Sequence, residues 1–301
     1  MAVRSTAVEQ AQEDARAVFT PGDWGMLAGT AAAWGGSFLF MEFGLQHFAP
    51  PLIAFGRIAF GAATLALLPA ARAPVARSAW PQIALLGLTW MAIPFLLLAI
   101  AQQWIDTGLA GMINATAPLF TALVGGFLVR ALPSRLQLGG LGLGFLGVVA
   151  ISLPSVDEGS SLLGVALVLS AALLYGFAFN IAAPLQRLHG SLPVTWRAML
   201  VAAAALLPAA IVGALSSSFA WSSLLAVLAL GVLGTGIAFI WFTTLIGRVG
   251  PARAAVSIYV VPVVAIALGA AFNDERVHAA ALLGTAMVLA GAYLTSRPKR
   301  A

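Results

Sequence analysis

Charged residues leave ten long stretches of the chain almost untouched, and Leu, Ala, Val, Ile, Phe and Gly fill them: 24–46, 51–70, 80–102, 107–129, 134–153, 161–184, 192–214, 221–246, 251–272 and 277–296. Each runs about 20 residues, the length an α-helix needs to cross roughly 30 Å of hydrocarbon. Strands of a membrane barrel would instead alternate polar and apolar residues over about ten positions. No such alternation runs along these stretches. The pattern predicts an all-α membrane protein with ten transmembrane helices joined by short loops.

Composition strengthens that expectation. Hydrophobic residues make up 61% of the 301 and charged residues 8%, with a mean hydropathy of +1.00, a balance no water-soluble surface of this size tolerates. The absence of cysteine excludes disulfides, thiolate-bound metal and thiol catalysis. Residues 1–23 mix Glu9, Glu13, Asp14, Arg16 and Asp23 among small residues and lack the apolar core of a secretory signal. They read as a cytoplasmic tail.

The basic residues, 14 Arg and one Lys, fix the orientation, because basic loops resist translocation. Arg4, Arg16, Arg72, Arg77, Arg130, Arg135, Arg187, Arg248, Arg253, Arg297, Lys299 and Arg300 all fall at one set of span ends, 12 of the 15. Arg276 is at the other set, beside Asp106, Asp157, Glu158, Asp274 and Glu275, while Arg57 and Arg197 lie inside spans. Dispersed in this way, the positive charge reads as topology rather than as a nucleic-acid surface. Ten spans then place both termini in the cytoplasm.

A second periodicity is longer. At an offset of 144 residues, Gly87 falls on Gly231, Phe95 on Phe239, Pro118 on Pro262, Gly125 on Gly269, Gly140 on Gly284 and Gly147 on Gly291. Ten glycines against eight over these 61 positions would coincide about once by chance; four coincide. Five spans per unit is an odd number, so the second unit enters the membrane inverted. Two inverted five-helix repeats, 24–154 and 155–296, flanked by tails 1–23 and 297–301, would enclose a central cavity that rocking opens to either side.

The motif Ala33-Trp34-Gly35-Gly36-Ser37-Phe38 in span 1 and its echo Leu174-Tyr175-Gly176-Phe177-Ala178-Phe179 in span 6 resemble the drug/metabolite transporter superfamily with tandem EamA-type domains. Arg57, Pro118, Pro262 and the glycine-dense spans 5 and 10 extend the resemblance over residues 24–296. It is most like the bacterial aromatic amino-acid exporters, which implies export of neutral or aromatic amino acids. The chain departs from a strict repeat at Arg197, which follows Pro193 as Arg57 follows Pro51 but misses the 144-residue offset.

Residues able to meet a solute lie along several spans. Trp34, Ser37, Phe38 and Met41 recur at three- and four-residue spacing, one helical face; Tyr175, Phe179 and Asn180 repeat the device in span 6. Trp90 and Trp241 lie inside spans, where an indole N–H finds a partner only in protein or a wet cavity. Helix packing is the competing use of all these rings. Asn114 and Asn180 are single amides that either bridge helices or meet substrate. Ser257 and Tyr259 precede Pro262, and Thr116 precedes Pro118; these prolines are candidate helix bends. Arg57 reads as an anion contact at the outer gate or as a structural pair with Glu42, since a lone guanidinium is costly in hydrocarbon. Gly140 and Gly144 permit close backbone approach, for packing or for a dimer face.

The expected partners are a small-molecule substrate and the lipid bilayer of an inner membrane, with no nucleic acid, no cofactor and no metal, as monomer or homodimer. Glu42 is the one acidic candidate for proton coupling, so passive facilitation or weak coupling through Glu42 is expected. The competing class, a membrane-embedded transferase, needs clustered carboxylates, a metal site or a nucleophile–base pair. No such cluster stands out in the sequence.

Overall fold

The structure is a computed structural model that describes residues 20–128, 135–157, 161–249, 254, 256–273 and 277–296. The tails 1–19 and 297–301 lie outside the described residues, as does the side chain of Tyr259. In chain order the helices are α1 (Pro21–Leu45), α2 (Pro50–Ala66), α3 (Trp80–Gly87), α4 (Ile93–Ala101), α5 (Thr107–Asn114), α6 (Ala117–Leu128) and α7 (Arg135–Asp157). They continue as α8 (Leu162–His189), α9 (Ser191–Leu215), α10 (Trp221–Gly231), α11 (Ala238–Val249), α12 (Val256–Phe272) and α13 (Ala279–Ser296). Among the described residues there is no strand.

Helix starts follow local chemistry. Thr20 caps α1 in a capping box with Asp23, and Pro21 occupies the first turn, where its missing N–H costs nothing. Proline also opens α2, α3 and α4. The second predicted span ends early, at Ala66 rather than 70. Pro69 explains the difference: it pushes Leu68 into extended geometry (ψ 119°) and begins a short 3-10 turn. Between α8 and α9 the chain reverses at Gly190, whose φ of 85° suits glycine alone among common residues.

Among the described residues, five continuous helical stretches are long and apolar enough to cross a bilayer: Arg77–Ala101, Thr107–Leu128, Leu162–His189, Ser191–Leu215 and Trp221–Ile246. Pro50–Ala66, Leu138–Ile151, Val260–Phe272 and Ala279–Gly291 are shorter apolar helices. The first helix has 25 residues, but six glycines, Asp23, Trp34 and Glu42 hold down its mean hydropathy. The chain is an all-helical, multi-pass membrane protein.

Three spans are internally broken. A π-helical turn, Leu88–Ala92, joins α3 to α4, and a second, Val232–Ile237, joins α10 to α11. The two begin 144 residues apart, the offset at which the glycines match, yet their local causes differ. Pro94 follows the first and would press its ring on the carbonyl four residues earlier in a regular helix; Gly234-Thr235-Gly236 lies inside the second. The fourth span breaks between Asn114 and Ala117, with Pro118 in the first turn of α6. By contrast Pro262 sits inside α12, which continues through it.

Glycines set the closest crossings. A Cβ on Gly147 would come 2.6 Å from the Gly284 carbonyl oxygen, and one on Gly284 would come 2.6 Å from that of Gly147. The corresponding pair repeats this, since a Cβ on Gly291 would come 2.5 Å from the Gly140 oxygen. Thus α7 and α13 touch backbone to backbone. Likewise Gly35 faces Val261 and Val264 of α12, while Gly176 faces the Phe120 backbone of α6. Gly140, Gly144, Gly147, Gly284 and Gly291 thus serve packing within the chain, while Gly139 and Gly142 face open space.

Candidate functional site

The interior is organised around a continuous chain of aromatic rings. Trp34 on α1 packs against Phe242 and Phe239 of α11, with ring centres 4.9 and 6.0 Å apart. Phe239 meets the edge of Trp90 in the first π turn at 5.0 Å, Trp90 meets Phe179 of α8 at 6.0 Å, and Phe179 stacks on Tyr175 at 6.0 Å and 20°. Six rings from four spans form one ladder. Edge-to-face and offset pairs of this kind contribute about 0.5–1.5 kcal/mol each beyond area burial. Trp90, Tyr175 and Phe239 are buried, and Trp34 and Phe179 half-buried.

Arg57 of α2 is seated between α4 and the second π turn. The residue is 6% exposed, and its guanidinium carbon lies 3.9 Å from the centre of the Phe95 ring, a cation–π contact. Its Nε donates to Thr235 Oγ1 at 3.0 Å. Thr235 in turn donates its hydroxyl hydrogen to the Leu230 carbonyl at 3.2 Å, five residues back across the π turn. That leaves Thr235 only lone pairs to offer Arg57, so the π turn fixes it as an acceptor.

The remaining sequence candidates take varied positions. Ser37 is buried and spends its hydroxyl on the Ala33 carbonyl of its own helix at 2.7 Å, with Gly234 packed against it. Phe38 is buried beside Gly111, and its carbonyl accepts from Gln102 Nε2 at 3.0 Å. Asn180 donates to the Thr121 carbonyl of α6 at 3.0 Å and to the Gly176 carbonyl at 2.8 Å, bridging two spans. Asn114, at the break of the fourth span, keeps an enclosed Oδ1 without a hydrogen-bond partner. Trp241 is 36% exposed and covers Gly29 on α1, away from the ladder. Ser257 is buried and bonded to the Ala254 carbonyl. Glu42 is half-buried.

The ladder contains two rings outside the candidates the sequence pattern marks, Phe239 and Phe242, and the Arg57 seat adds Phe95 and Thr235. Phe95 and Phe239 carried a signal, being one of the pairs matched at the 144-residue offset. Outside the interior, a surface pocket opens at the opposite end of α2 from Ala66. It is lined by Gln46 to Pro50, Gln103 and Leu215 to Ser218, where His47 meets Ser223 at 3.2 Å and Ala49 N–H donates to Ser217 at 2.9 Å. At the other end Arg248 Nε pairs with Asp23 at 2.9 Å, tying the last turn of α11 to the first turn of α1.

Sequence comparison decides what this interior belongs to. The EamA-like transporter family matches residues 22–153 and again residues 162–297. The chain belongs to that family. It is a transporter, not an enzyme. Among its relatives, a "probable terminal-alkyne amino-acid exporter" of Streptantibioticus cattleyicolor is 26% identical over 274 residues, covering 89% of this chain and 91% of that one. A "probable amino-acid metabolite efflux pump" of Escherichia coli K12 is 27% identical over 280 residues, covering 87% and 90%. A solved crystal structure shares the fold with a TM-score of 0.64 at 18% identity, covering 92% of this chain and 97% of that chain.

Proposed function

We propose that this transporter exports small metabolites, neutral and aromatic amino acids foremost, across an inner membrane by alternating access. In this reading ten spans form two inverted five-helix repeats, 24–154 and 155–296, with both termini cytoplasmic, and the halves rock about the central aromatic ladder. The observation that carries it is the ladder itself: Trp34 and Trp90 come from the first half, Tyr175, Phe179, Phe239 and Phe242 from the second. A hinge-like interior shared by both halves is what rocking requires. The paired π turns and the reciprocal glycine crossings support the same symmetry.

Aromatic side chains supply stacking surface for an aromatic or apolar solute while leaving few bonds to desolvate. The names of the two amino-acid exporting relatives favour the same class. The substrate contacts proposed are Trp34, Phe38, Trp90, Asn114, Tyr175, Phe179 and Arg57, with Glu42 as the acidic group nearest to a coupling role. Ser37, Asn180, Trp241 and Ser257 serve helix packing better than solute contact, given the partners described above. Pro118 starts a half-helix at the break beside Asn114.

Counterflow of labelled phenylalanine or tryptophan into proteoliposomes, followed by a panel of amino acids, amines and sugars, tests the proposal. Protein-dependent counterflow with aromatic preference is the expected result, and Trp34→Ala and Tyr175→Ala should each lower it. Equal flux in empty liposomes would contradict it.

A further inference from the structure

We infer that Arg57 receives the carboxylate of the transported solute, so that the site takes small monoanions or zwitterions with an apolar body and rejects cations. This deepens the amino-acid reading above and rests on it. Arg57 is 6% exposed at position eight of a 17-residue helix, about 10 Å along the axis from its start. It is therefore deep in the bundle rather than at a rim. Among the described residues its one hydrogen-bond acceptor is Thr235 Oγ1, and no described carboxylate forms an ion pair with it.

Phe95 covers one face of the guanidinium and Thr235 occupies Nε, which leaves the terminal nitrogens Nη1 and Nη2 unbonded. Enclosed side-chain atoms without a hydrogen-bond partner include Thr30 Oγ1, Gln102 Oε1 and Asn114 Oδ1, but none of the Arg57 nitrogens. The guanidinium fork therefore opens onto space that a water-sized group reaches. A carboxylate is the group whose two oxygens match that fork. It also cancels the charge that costs most when left alone in a low-dielectric interior.

Charge balance narrows the class further. Arg72, Arg77, Arg135, Arg187 and Arg248 sit at span ends, and Arg197 is bonded to the Pro193 and Ala71 carbonyls. Among the described residues Arg57 is the one buried cation and neutralises one negative charge, so a dianionic phosphate would carry an uncompensated charge into the bundle. A permanently cationic solute would meet repulsion from Arg57. The adjoining Phe95 ring places apolar surface next to the charge, which suits an aromatic side chain attached to the carboxylate.

Ligand binding by the purified full-length protein in detergent, read by tryptophan fluorescence, tests this with phenylalanine, 3-phenylpropanoate and phenethylamine as probes. The first two should bind, and phenethylamine, which lacks the carboxylate, should bind about 30-fold more weakly or worse. Arg57→Gln should erase the preference; Arg57→Lys, which keeps charge but not the fork, should retain part of it. Phenethylamine binding as tightly as phenylalanine in the wild type would overturn the inference, as would a carboxylate preference that survives Arg57→Gln in monodisperse protein. Absence of binding by both carboxylates would also overturn it. If Arg57→Gln does not fold, the wild-type probe series and Arg57→Lys decide between these outcomes. Counterflow of the same wild-type protein separates the two readings: carboxylate-selective binding without flux leaves Arg57 in its role and removes transport.

Discussion

Arg57 Nε lies 3.0 Å from Thr235 Oγ1, joining residues 178 positions apart and linking the middle of α2 to the π turn of the eighth span. The bond depends on the wide turn, because Thr235 reaches the Leu230 carbonyl only across five residues. Thr235→Val keeps the side-chain shape and removes the acceptor. It should lower thermal stability by about 1.5–3 kcal/mol, the range for a hydrogen bond to a charged group. Thr235→Ser should preserve stability to within about 1 kcal/mol. Thermal unfolding of the two variants in one detergent checks this.

Phe239 touches both Trp34 and Trp90 and so connects the two tryptophans of the ladder. Phe239→Leu retains apolar volume but loses both ring pairs. It should cost about 1–3 kcal/mol of stability and reduce counterflow of aromatic amino acids more than that of leucine. Comparison of the two fluxes in proteoliposomes checks it.

Asn180 and Asn114 are both lone amides in apolar helices, yet their partners differ. Asn180 holds the Thr121 carbonyl, so Asn180→Ala should destabilise by about 0.6–2 kcal/mol. Asn114 Oδ1 has no partner to lose, so Asn114→Ala should leave stability nearly unchanged while altering substrate preference. Melting temperatures and a flux panel for the two variants distinguish a bridging amide from a solute contact.

The Asp23–Arg248 pair ties two span ends on the same side. Hydrogen bonds from Thr20, and secondarily the Arg248 charge, hold the Asp23 carboxyl below the usual carboxylate range. A depressed folded-state value contributes stability that is present above the unfolded value of about 3.9 and fades as pH falls through the lower folded value. Asp23→Asn should therefore be less stable at neutral pH and should lose this part of the acid sensitivity. Thermal melts across that pH window check the sign.

The all-helical, multi-pass character of the chain was legible because membrane solubility forces it into composition, as nearly charge-free runs of about 20 residues. Glycine density marked spans 5 and 10 for close approach, but that Gly147 meets Gly284 is seen only in the packed chain. The ladder was only partly legible. Trp241 and Phe242 are neighbours in sequence, but successive helix positions differ by about 100°; Phe242 faces Trp34 while Trp241 turns to Gly29. The π turns left no pattern to read, since Pro94 produces one and Gly234-Thr235-Gly236 accompanies the other. Arg57 was visible as an anomaly in an apolar run, but its depth and its seat on Phe95 and Thr235 needed the packing of the second half against the first.

Opposed insertion of the two halves is the claim on which rocking depends, and the chain's lack of cysteine makes it directly measurable. Ala76 and Ala220 lie 144 residues apart, just before the helical starts at Arg77 and Trp221. Single Ala76→Cys and Ala220→Cys variants should react with a membrane-impermeant maleimide from opposite sides: Ala220→Cys in intact cells, Ala76→Cys only after permeabilisation. Labelling of both from the same side would contradict the inverted arrangement and the carrier built on it.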